Sequence, residues 1–242
     1  MKKSIFILIA VVLGTVACNE VDQVNSACKD VTRDAHFGEN HNKIVLEFLS
    51  SPEYRAVQTL DRNSKNIVLK DYMASRYNQD INYMFENMEN YYRDSKLQQS
   101  RGNNTFQLIT FDPIDFMVTY QSNFSPDAYL FLEDLVSGAR RHSGDIESSI
   151  LFIDNSVLNM ESNNNLTICE KNALFNLSTL YKSSLELWYS YPDLKTKILK
   201  KDEYWKVASA DLLFGCAGGI MGFGVGALVG CVSGSVSSYF DL

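Results

Sequence analysis

The stretch between Asp211 and Asp241 constrains this chain more than any other. Its 29 residues, Leu212 to Phe240, carry no charge, and within it Gly218, Gly222, Gly226, Gly230 and Gly234 recur at every fourth position. On a helix that spacing lines the glycines along one ridge without side chains, which a second helix can approach closely enough to gain van der Waals contact. In water each glycine costs a helix up to about 1 kcal/mol relative to alanine. A segment with Gly215, Gly219 and Gly224 added to the ridge therefore stays helical only against a membrane or a tight helical partner. It predicts either one glycine-rich apolar helix or a helical hairpin, with Gly226 at mid-ridge a position where a leucine should hold the facing helix away. Trp205 at one flank and Tyr239 at the other stand where interfacial aromatics stand on membrane segments. Lys195, Lys197, Lys200 and Lys201, just upstream, suit anionic headgroups or a solvated helix face. The run Gly222-x-Gly224-x-x-Ala227 fits a dinucleotide fingerprint in letters only. No strand–helix–strand unit surrounds it and the chain ends too soon for the acidic residue that motif needs.

Upstream, apolar residues recur at helical spacing. Ile44, Val45, Phe48 and Leu49 mark a short helix. Ser51-Pro52 is an N-cap and first helical residue, opening a second helix through about Arg62. Met73, Tyr77, Ile81, Met84, Met88 and Tyr91 form one face of a long helix, read as adaptable core packing. Residues 97–124 break the pattern, and extended packing segments or a short strand pair both fit them. Ser125-Pro126 restarts helix with Leu132, Leu135 and Ala139 on one face, and Gly144 ends it. Ile146, Ile150, Ile153, Val157 and Met160 follow. After a polar loop, Thr167-x-x-Glu170 has capping-box spacing and opens a helix bearing Leu174, Leu177, Tyr181, Leu185 and Trp188, closed by Pro192. The expected fold is all-α, an irregular helical bundle with neighbours largely antiparallel. Its core should include Met84, Met88, Leu135, Ile153, Leu177 and Trp188. The expected parts are a signal peptide at 1–17, an attachment point and tether at 18–38, a helical domain at 39–206 and the glycine-ridged tail at 207–242.

The first residues set the compartment. Lys2 and Lys3, an apolar run to Val16 and small residues before Cys18 are the three parts of a signal peptide. The apolar run is shorter than the roughly 20 residues a spanning helix needs. If Cys18 is lipidated, Cys28, Cys169, Cys216 and Cys231 remain, with three possible pairings, in a compartment where disulfides persist. No pair among them has zinc-site spacing. Net charge is −7, and −9 without Lys2 and Lys3, which argues against nucleic acid as a partner. The sequons at Asn103, Asn123, Asn165 and Asn176 read as chance in an Asn-rich chain.

The stretch Thr15-Val16-Ala17-Cys18 looks like a bacterial lipobox, and the resemblance implies lipidation of Cys18 as the first mature residue. The segment at about 211–238 resembles the glycine-zipper segments of bacterial envelope proteins and of some membrane-active bacteriocins, which implies close helix packing in or on a membrane. Side chains that carry chemistry are sparse. His36 and His41 are five apart, which does not align two ligands on a helix face, and His36-x-x-Glu39 reads as part of a polar N-terminal segment. Asp112 and Asp115 flank Pro113 as turn formers do, and no nucleophile, metal or phosphate-loop motif is found. An enzyme is not expected, nor a cofactor or metal. The expectation is a lipoprotein anchored in the cell envelope, in contact with membrane lipid, whose tail inserts or self-associates. The alternative is a lipid-tethered soluble helical binding module whose tail packs on its own core.

Overall fold

The computed structural model of the chain describes residues 31–77, 113–118, 121, 124–191, 204–219 and 225–240. The expected signal peptide, Cys18, Ile81 to Tyr91, Asp112, Lys195 to Lys201 and Gly222 lie outside them. Among the described residues the structure is helical, and it is an irregular bundle as the periodicity predicts.

Helix α1, Phe37–Leu49, starts more than a turn before Ile44 because Phe37 and His41 lie on the same buried stripe as Ile44, Val45 and Phe48. Helix α2, Pro52–Val57, has the expected cap: Ser51 Oγ accepts from Tyr54 N at 3.1 Å. It is shorter than predicted. A turn intervenes, and α3, Arg62–Tyr77, begins where Asp61 accepts from both the amide and the hydroxyl of Ser64. Residues 113–118, for which extended structure was one expectation, form instead a short helix α4, Pro113–Val118, with proline in the first turn where its missing N–H is harmless.

Helix α5, Pro126–Arg141, is capped by Ser125 and buries Leu132, Leu135, Val136 and Ala139. Helix α6, Ile146–Ser162, is capped by Asp145 and buries Ser149, Ile153, Ser156 and Met160, one face at spacings of four, three and four. Helix α7, Ile168–Ser190, opens with the predicted capping box: Glu170 N donates to Thr167 Oγ1 at 3.2 Å while Thr167 N donates to Glu170 Oε2 at 2.8 Å. It ends at Tyr191, whose backbone is extended, as the residue before a proline prefers. Helices α8, Tyr204–Gly219, and α9, Val225–Tyr239, divide the charge-free tail.

Helix α7 is the central element, packed against α1, α5, α6 and α8, while α9 lies on α8, α1 and α3. Tyr204, at the start of α8, meets Tyr189 at 5.3 Å, and Tyr239, at the end of α9, stacks on Trp188 at 5.4 Å. Both outer ends of the tail pair thus sit beside the C-terminal end of α7, so α8 and α9 run antiparallel. From Tyr204 to Leu213 every residue but Lys206 is buried, the pattern of a helix enclosed on all faces. Tail residues Leu212, Val229, Val232 and Val236 share one apolar cluster with Phe48, Leu132 and Leu177. Of the core residues expected from sequence, Leu135, Ile153, Leu177 and Trp188 are buried, and Met84 and Met88 lie outside the described residues.

The chain before α1 is docked on α7. Asn172 Nδ2 donates to Val31 O and Asn176 Nδ2 to Thr32 O, both at 2.9 Å, and Asp34 N donates to Asn176 Oδ1 at 2.8 Å. Arg33 pairs with Glu161 at 2.6 Å and lies over the Phe175 ring. Cys169, in the first turn of α7, is disulfide-bonded.

Candidate functional site

The greatest concentration of polar chemistry in the described fold is inside the bundle, where α1, α7 and α8 meet. Asp211, which bounds the charge-free tail, is fully buried, as are His41 and Ser184. Helical geometry brings them together. Ser184 and Trp188 are four apart on one face of α7, and α8 runs antiparallel beside them. His41 faces inward from α1 between Phe37 and Ile44.

His41 Nε2 lies 3.0 Å from Asp211 Oδ1. Ser184 Oγ donates to Asp211 Oδ2, and Trp188 Nε1 donates to the same oxygen at 3.3 Å. On its other side, His41 Nδ1 lies 3.0 Å from Asn42 Oδ1. The orientation of that amide is set by Asn42 Nδ2, which donates to Ser183 O at 2.8 Å. One turn away along α7 and α8, Tyr181 Oη and Ser209 Oγ share a hydrogen bond of 2.8 Å, and burial pushes the Tyr181 phenol up from its usual value.

A buried carboxylate is tolerated only when it is paired and its lone pairs are occupied. Asp211 meets both conditions through three side chains on two other helices. Ser184 and His41 sit on opposite oxygens of the same carboxylate, so the serine hydroxyl faces Asp211 and not the imidazole. All four side chains are closed to solvent among the described residues.

The residues singled out from sequence fall as follows. Gly218 lies on α8, and Gly226, Gly230 and Gly234 on α9, where Gly230 and Gly234 are buried. Trp205 is buried with the Arg140 guanidinium 5.7 Å from its ring centroid, and Tyr239 is buried against Trp188. His36 is exposed and pairs with Glu39 at 2.9 Å, which raises the His36 pKa. Asp115 lies in α4. His41, considered from sequence only as a ligand partner of His36, is part of the core, a place that the stripe Phe37, His41, Ile44, Val45, Phe48 marks. Ser184 carries the same signal between Tyr181 and Leu185. Asp211 has one too: it is the last charge before the tail. Among the described residues no group of three His, Cys, Asp or Glu side chains is placed to hold a metal ion. Comparison with protein-family models, with characterised proteins and with solved structures finds no match for the chain.

Proposed function

We propose that the chain is an exported, lipid-tethered helical module of the cell envelope, with its lipid on Cys18, whose glycine-rich tail completes its own core and which acts by binding rather than by chemistry. The observation that carries this reading is the Asp211 carboxylate, fully enclosed and held by His41, Ser184 and Trp188. A tail destined for lipid gains nothing from a carboxylate matched to three donors on the body, because pulling it away leaves four polar groups without partners. The Tyr181–Ser209 bond and the Trp188–Tyr239 stack support the same docking along α8 and at the end of α9. No helix among the described residues is long and apolar enough to cross a membrane. The disulfide at Cys169 suits an oxidising compartment outside the cytoplasm.

The test separates the tether from the tail. A Cys18→Ala protein, which has no acylation site, is expressed and its membranes are washed at high salt and then at alkaline pH. Release into the wash is expected. Retention of the unacylated chain in the alkaline pellet would overturn the reading in favour of a tail that inserts.

A further inference from the structure

We propose that the His41–Asp211 pair is a latch that keeps the α8–α9 hairpin docked, with His41 held as a buried imidazolium that donates on both sides. The inference rests on the proposed reading that the tail belongs to the core, and adds what holds it there. Asn42 spends its amide N–H on Ser183 O and presents its carbonyl oxygen to His41 Nδ1, while Asp211 Oδ1 faces His41 Nε2. With an acceptor at each ring nitrogen, the ring satisfies both only by donating from both. Asp211 in turn is the one acidic or basic residue of the tail pair between Lys206 and Asp241. Among the described residues, everything else that α8 and α9 bury is apolar, glycine, or a hydroxyl such as Ser209, Ser233 and Ser237. Ser233 Oγ simply donates to Val229 O of its own helix. Apolar contact is tolerant of sliding, whereas a carboxylate matched to donors on α1 and α7 is satisfied in one register only. Removing a single partner from a buried pair is far costlier than replacing the pair, so the latch concentrates the tail's attachment in one place.

The experiment uses hydrogen exchange on the full mature chain, resolved by segment, together with ¹⁵N spectra of the histidine rings. In the parent protein, residues 204–240 are expected to be protected comparably with 168–190, and one histidine should show two protonated ring nitrogens that do not exchange rapidly with water. Asp211→Ala strands His41, Ser184 and Trp188. It is expected to speed exchange in 204–240 on the order of a hundredfold or more while α5, α6 and α7 keep most of their protection. Asp211→Asn keeps a hydrogen-bond partner for each. It should hold the tail but convert His41 to a neutral ring protonated at Nδ1. Tyr181→Phe, which loses the neighbouring bond, should change tail exchange by tenfold or less. An unprotected tail in the parent would overturn the reading of a docked tail itself. A protected tail that Asp211→Ala leaves unmoved, or that it melts together with every other helix, would overturn the latch alone, as would a neutral His41 ring in the parent.

Discussion

At the scale of single residues, three glycines that look alike in the sequence should behave differently. A methyl group at Gly38 would sit 2.4 Å from Thr179 O, a backbone atom of α7 that cannot step aside, and 2.5 Å from Ser183 Oγ. Gly38→Ala should therefore push α1 off α7 and cost about 1–3 kcal/mol, the range for overpacking. At Gly138 a methyl group would meet the Phe152 ring at 2.0 Å, which is closer still. Its obstacle, however, is the far edge of a half-buried ring that can swing outward, so Gly138→Ala should cost less than Gly38→Ala. Gly144 has open space around its Cβ position, and Gly144→Ala should be within about 0.5 kcal/mol of the parent, as surface changes usually are. Chemical denaturation of the three variants gives the order directly, and a Gly38→Ala protein as stable as Gly144→Ala would contradict the close α1–α7 approach.

At the scale of the element, caps and the glycine ridge give separate predictions. Hydrogen bonds from Ser148 and Glu147 to the Asp145 carboxylate hold its pKa below the ordinary 3.8. A carboxylate with a depressed folded value stabilises the fold fully above its unfolded value and loses that contribution as pH falls through the folded one. The first turn of α6 should thus loosen only below about pH 4, read from the exchange of the Glu147, Ser148 and Ser149 amides, and Asp145→Asn should remove that acid step while keeping the cap. On α9, Gly230→Leu sets helix propensity, a gain approaching 1 kcal/mol, against overpacking of a buried site, a loss of about 1–3 kcal/mol. Loss should prevail, seen as a lower thermal midpoint. These elements were largely legible beforehand because caps and periodicity are local: Ser51-Pro52, Ser125-Pro126 and Thr167-x-x-Glu170 each open a helix as read. The misses are local too. The turn before Arg62 has no glycine or proline to mark it, and the aromatic-rich sequence around Pro113 has too few residues to show a helical period.

At the scale of the molecule, what the sequence could not give was which faces meet. Glycine spacing shows that something must approach the tail closely, and not whether that partner is lipid, another copy or α7. The Asp211 cluster draws on residues as far apart as His41 and Asp211, and no local pattern encodes a meeting of that kind. Its members were visible singly, as polar residues on apolar stripes. The Cys169 disulfide is likewise a long-distance matter; its reduction should lower stability by about 2–4 kcal/mol, measured as a shift in the denaturation midpoint with and without reductant. One further feature governs how the body can move. Because Asn172 and Asn176 grip the backbone at Val31 and Thr32, a pull on the chain ahead of Val31 would be delivered to the flank of α7 rather than to the first helix. The body would then be held by its central helix, with α1 carrying none of the load.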